Sequence, residues 1–261
     1  MKYPLYQIDT FTDAPFAGNP AAVCFLTDWL NDDFLLAIAA ENNLSETAFV
    51  LARGASYDLR WFTPTIEVAL CGHATLAAAY VIMTKLDPKV NIVSFVTRQS
   101  GVLSVERIAD WSWLNMPAIP AASCSVIEPI TNALGRTPTE VYVAPRDYLA
   151  VFGNEDDIRS IKPNFELLME LDRDGLIITA PGEKVDFVSR FFAPKLGVFE
   201  DPVTGSTHCT LAPYWTYRLR HKELVANQIS PRGGYIRCIA DGDRVRVGGR
   251  CTLYLDGTIE V

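Results

Sequence analysis

Glu46, in Asn43-Leu44-Ser45-Glu46-Thr47-Ala48-Phe49, is a carboxylate set where a helical pattern ends and an apolar strand begins. A glutamate drawn partly out of water has its charged form disfavoured, which lifts its pKa and suits it to general acid/base work. The ordinary alternative is a capping or surface carboxylate. His73, in Cys71-Gly72-His73, stands in the first turn of an expected helix, where it holds or polarises a substrate or is a plain cap or core imidazole. Asp201, Thr204, Gly205 and Ser206 crowd the turn Glu200-Asp201-Pro202-Val203-Thr204-Gly205-Ser206, ahead of a second expected helix over Thr207 to Leu219. The first N–H groups of a helix have no intrahelical partner, so such a start can hold an anion. Gly72 and Gly205 are thus candidates to offer amides to a carboxylate or enolate-like oxygen, with Ser206 and Thr204 beside them. The same residues are compatible with simple capping. Asp201 binds a substrate amine, orients His73, or is a turn aspartate before proline.

Two stretches carry these residues, and they share a grammar. Arg60-Trp61-Phe62-Thr63-Pro64 matches Arg190-Phe191-Phe192-Ala193-Pro194, 130 positions later. Thr75-Leu76-Ala77 then matches Thr210-Leu211-Ala212, 135 positions later, so the second turn carries an insertion that includes Asp201. A period this long is not a solenoid. It implies two related lobes about a pseudo-two-fold axis, each aiming a helix N-terminus, with its partial positive charge, at a shared cleft.

The elements around them read as α+β. Leu5 to Thr10 and Ala21 to Leu26 are expected strands, Asn31 or Asp32 caps a helix to about Asn42, and Leu44 to Leu51 is a strand. Gly72 to Thr84 is an Ala-rich helix fit for a core. Ile92 to Thr97 and Gly101 to Arg107 form a hairpin. Pro117 to Ser123 is the expected linker. The predicted lobes are residues 1–118 and 119–251, with strand 252–261 returning to the first. Each lobe is a mostly antiparallel sheet or barrel around a central helix.

Composition narrows the function. The chain has 261 residues, 49% hydrophobic and 21% charged, as a soluble globular protein has. A net charge of −8 argues against nucleic acid as partner. No apolar run approaches membrane-spanning length. Met1 leads directly into a strand-like segment, which predicts no secretory leader. Six cysteines without Cys-x-x-Cys read as reduced thiols in a cytoplasm. Three histidines without a zinc-type spacing predict no metal site.

Together these residues resemble the phenazine biosynthesis PhzF-like family, related in fold to diaminopimelate epimerase. The resemblance runs over essentially the whole chain. It is carried by Asp9-Thr10-Phe11, Gly18-Asn19-Pro20, the Glu46 and Arg60 segments, Cys71-Gly72-His73-Ala74-Thr75, and both parts of the second stretch. It implies a diaminopimelate epimerase-like fold with a site between the lobes, a homodimer and no cofactor. The family's catalytic glutamate falls on Glu46, its site histidine on His73, and its aspartate and serine on Asp201 and Ser206. Its amide-donating glycines fall on Gly72 and Gly205. In the characterised branch the reaction isomerises a dihydro-hydroxyanthranilate by moving a proton along the ring. The expectation is therefore a cofactor-independent isomerase of a small anionic or zwitterionic carboxylic acid.

Other readings stay open on the residues. A two-thiol racemase would use Cys71, but Pro202 or Val203 stands where a second thiol is needed, and Cys209 lies a turn too far along. A serine hydrolase would use Ser206, His73 and Asp201, although Thr204-Gly205-Ser206-Thr207-His208 is not a Gly-x-Ser-x-Gly elbow. A non-catalytic binding protein can be built on the same fold.

Overall fold

The structure is a computed structural model describing residues 1–261. It divides into two compact units, Met1–Asn115 with Gly248–Val261, and Met116–Val247. No helix is long and apolar enough to cross a membrane.

In the first unit the chain runs β1 (Lys2–Thr10), β2 (Asn19–Leu26), α1 (Asp32–Asn42), β3 (Glu46–Arg53), β4 (Ser56–Phe62), β5 (Glu67–Val68), α2 (Gly72–Val81), β6 (Ile92–Thr97), β7 (Val102–Ile108) and β8 (Trp111–Pro117). β1 pairs antiparallel with β2, β2 parallel with β3, β3 antiparallel with β4, β4 parallel with β6, and β6 antiparallel with β7. The parallel steps need crossovers, and α1 and α2 supply them. Asn31, not Asp32, caps α1 by accepting from the Phe34 amide at 2.8 Å.

α2 is the centre of this unit. Nine of its ten residues are buried. A helix apolar all round must be enclosed, and its alanines let strands approach closely. It packs on β1, β2, β3, β7 and β17. Its expected end at Thr84 is met by a change of winding: the α-helix stops at Val81 and a π-turn covers Ile82–Leu86.

The second unit runs β9 (Ala122–Ser123), α3 (Ile127–Leu134), β10 (Glu140–Val143), β11 (Asp147–Val151), α4 (Glu155–Ser160), α5 (Phe165–Glu170), β12 (Gly175–Pro181), β13 (Phe187–Phe192), α6 (His208–Leu219), β14 (Glu223–Gln228), β15 (Gly234–Asp241) and β16 (Arg244–Gly249). β17 (Cys251–Glu260) returns to the first unit, antiparallel along β1 from Lys2↔Glu260 to Thr10↔Cys251. The expected linker, Pro117 to Ser123, begins just past the boundary between the units and is tied to the second. Ala118 and Ile119 donate backbone N–H groups to Asp243 and Cys209, both at 2.8 Å, and Ala122–Ser123 pairs with Tyr142–Val143.

The internal repeat is visible in the pairings. β10 to β15 pair antiparallel, parallel, antiparallel, parallel, antiparallel, the same series as β1, β2, β3, β4, β6 and β7. The shared Arg-x-Phe also repeats its chemistry. Arg60 forks onto Glu67 at 2.7 and 2.7 Å, and Arg190 onto Glu200 at 2.7 and 2.9 Å. Each guanidinium lies 4.9 Å from its Phe62 or Phe192 ring centre.

The helix starts share a side-chain hydrogen bond. Thr75 Oγ1 donates to the Cys71 carbonyl at 2.6 Å, and His208 Nδ1 donates to the Thr204 carbonyl at 2.9 Å. Both bonds span i to i−4, and they set Cys71-Gly72-His73 beside Thr204-Gly205-Ser206 at a shift of 133 positions, next to the 135 of the Thr-Leu-Ala match.

Candidate active site

Glu46 and His73 are brought together inside the first unit. Glu46 is the first residue of β3, after Asn43 closes α1 in the left-handed region at φ 49°. β2 lies beside it, with Ala21 opposite Glu46. His73 is the second residue of α2. Glu46 Oε2 lies 3.2 Å from His73 Nε2, with side-chain exposures of 18% and 6%. Burial pushes the His73 pKa down to about 3, so the ring is neutral across the neutral range.

Asn19 is the residue of this cluster that motif reading passed over as a turn former. It opens β2, is fully buried, and sets its carboxamide nitrogen 3.4 Å from His73 Nδ1. The Cys71 sulfur lies 3.4 Å from the same nitrogen. The approach to Asn19 is rigid. Gly18 sits at φ 67°, where any Cβ would lie 2.0 Å from the Thr10 carbonyl oxygen, and Thr10 Oγ1 donates to the Asn19 carbonyl at 3.0 Å.

Glu46, Cys71 and His73 present three potential ligand atoms within 4.8 Å of one another. The closest contacts, however, use opposite nitrogens of one ring: Cys71 at Nδ1 and Glu46 at Nε2. One ion cannot take both, so the arrangement suits proton transfer better than a closed zinc site.

Gly72 opens α2, and no side chain caps that helix; Cys71 is its N-cap. α6 likewise has no side-chain cap, and its N-cap is Thr207, not Ser206. Both starts therefore keep amide ends suited to an anion.

Asp201, Thr204, Gly205 and Ser206 form a second cluster, in the second unit. Thr204 Oγ1 donates to Asp201 Oδ2, and the Asp201 amide donates to the Phe191 carbonyl at 3.0 Å. Gln228, missed in the sequence, clamps this turn. Its Nε2 donates to the Asp201 carbonyl at 2.7 Å and to Thr204 Oγ1 at 3.2 Å, and its Oε1 accepts from the Thr204 amide at 2.8 Å. The signal was available: Leu224, Ala226 and Gln228 alternate as the buried side of β14, and a glutamine there must find partners. Ser206 Oγ receives a 3.4 Å contact from Arg146 Nη2, a donor and not a base. That gives a serine-nucleophile reading no proton acceptor at this hydroxyl within the unit.

The two-thiol reading needs a second thiol near Gly205, and Thr204 stands directly before Gly205 as Cys71 does before Gly72. Cys209 packs near Met116 Sδ at 4.0 Å, and burial pushes its thiol up to about 12. It is a core thiol.

Comparison with known proteins identifies the family and the fold. A family described as phenazine biosynthesis-like protein matches residues 8–257. An uncharacterized isomerase of Pseudomonas aeruginosa is 48% identical over 261 residues, covering all of both chains. The crystal structure of a PhzF-family phenazine biosynthesis protein from Enterococcus faecalis superposes with TM-score 0.97 at 44% identity, over all of both chains. A hydroxyproline epimerase of Agrobacterium vitis, solved with bound trans-4-hydroxy-L-proline, shares the fold at TM-score 0.62 and 10% identity, over 99% of this chain and 92% of that one.

Proposed function

Because the chain belongs to the phenazine biosynthesis-like family, we propose that it is a cofactor-independent isomerase that moves a proton between carbons of a small carboxylic acid. The observation that carries this reading is the 3.2 Å approach of Glu46 Oε2 to His73 Nε2, beside the uncapped start of α2. The Glu46 carboxylate removes a proton from carbon. The electron pair runs toward a substrate oxygen, where the His73 N–H and the helix-start amides meet the developing charge. The Glu46 carboxyl then returns the proton to a different carbon, so no redox partner is consumed.

Ser206 and Gly205 supply hydroxyl and amide donors for an anionic substrate group, with the Arg146 guanidinium, paired to Asp147, beside them, while Thr204 holds Asp201 in place. Asp201 accepts from Thr204 and offers charge to a substrate amine. Kinetics tests the proposal. Small amino- and hydroxy-carboxylic acids are incubated in deuterated water with the protein and with Glu46→Gln. Deuterium is expected at a C–H position with the intact protein, and the rate is expected to fall by roughly 10²–10⁴ in the variant. Ser206→Ala is expected to raise KM for the same acid. Exchange that survives in Glu46→Gln would refute the assignment of the proton carrier.

A further inference from the structure

The His73 imidazole is approached on both edges by groups of different kinds. On the Nδ1 edge stand the Asn19 carboxamide nitrogen and the Cys71 thiol, each at 3.4 Å. An amide N–H and a thiol S–H are both donors. Nδ1 answers two donors only with a lone pair. A neutral imidazole with a lone pair on Nδ1 carries its one proton on Nε2. That nitrogen is buried, without an aligned hydrogen-bond partner, and lies beside the Glu46 carboxyl.

We propose that Asn19 and Cys71 are positioning residues that lock His73 in the Nε2–H tautomer, so that its ring donates to the substrate and Glu46 remains the only base of this cluster. The opposite tautomer would put a lone pair on Nε2 and set two bases side by side. With one base, the proton taken from carbon rides on Glu46 and is returned from the same carboxyl. The role given to the donated hydrogen bond rests on the isomerase reading. The tautomer does not, being a property of the resting protein.

The other two histidines are built-in controls. His208 Nδ1 donates to the Thr204 carbonyl at 2.9 Å, and His221 Nδ1 to the Glu223 carbonyl at 2.8 Å. Both are therefore Nδ1–H rings when neutral, and His73 alone is Nε2–H.

The test is long-range proton–nitrogen NMR of the full chain labelled with ¹⁵N-histidine, at pH 8. His208→Gln and His221→Gln spectra assign the signals. The expected spectrum has one ring with a pyrrole-like Nε2 and a pyridine-like Nδ1, assigned to His73, and two rings of the reverse kind. Asn19→Asp sets an acceptor against Nδ1 and is expected to convert that nitrogen to the pyrrole-like, protonated form. Should that variant not fold, the wild-type spectrum decides by itself. A pyrrole-like Nδ1 on wild-type His73, as a Cys71 thiolate or a reversed Asn19 amide would produce, overturns the proposal. An Nε2–H ring in a protein that exchanges no substrate deuterium keeps this inference and rejects the isomerase reading. Exchange with an Nδ1–H ring does the reverse.

Discussion

His73 and His208 are both fully enclosed, and burial pushes their pKa values down to about 3 and about 4. Their consequence for stability has a definite sign. Between each folded value and the ordinary 6.5, the unfolded chain binds a proton that the folded chain refuses. Stability is therefore complete above pH 6.5 and falls as the pH drops through that window. Each histidine contributes a slope of about 1.4 kcal/mol per pH unit there. Urea unfolding of the protein and of His208→Gln at pH 7.5 and 5 checks this: the variant should lose less stability on acidification. An equal loss in both would mean that His208 is protonated in the folded state.

The elements that carry the two clusters are built alike and anchored differently. Each arginine after the parallel step forks onto a glutamate beyond its turn, and each turn feeds a helix without a side-chain cap. In the first unit the start of α2 is held by neighbouring strands, through Asn19 on β2 and Glu46 on β3. In the second, the longer turn needs its own clamp, and Gln228 on β14 provides three hydrogen bonds to it. Gln228→Ala leaves the buried Thr204 amide without that acceptor. An unmade buried bond costs about 1–3 kcal/mol. A urea midpoint lowered by that amount at unchanged m is the expected result. A midpoint equal to that of the unaltered protein would mean the clamp is not what orders the turn.

Across the molecule, the first unit is assembled from both ends of the chain. β1 lies between β2 and β17, and β17 follows it along its whole length. Deleting residues 251–261 strips one edge of β1 and uncovers the side of α2 that β17 packs against. The truncated chain is expected to lose at least about 3 kcal/mol, at roughly 1 kcal/mol per lost ladder bond. Thermal melting followed by circular dichroism measures it; an unshifted transition would show that the terminal strand is an appendage.

The residues proposed to do chemistry stand out in the chain itself. Glu46, His73, Asp201 and Ser206 lie in short strings with glycine and proline, because turns and helix starts impose local demands that leave a local trace. The repeat was legible for the same reason, through Arg-x-Phe and its proline. The contacts of Asn19 and Gln228 were not, since their partners stand 54 and 24 residues away and are met only when parallel strands align across helical crossovers. The matching series of strand pairings in the two halves also had to wait for the fold, because a strand's neighbour is set in space and leaves no adjacent trace in the chain.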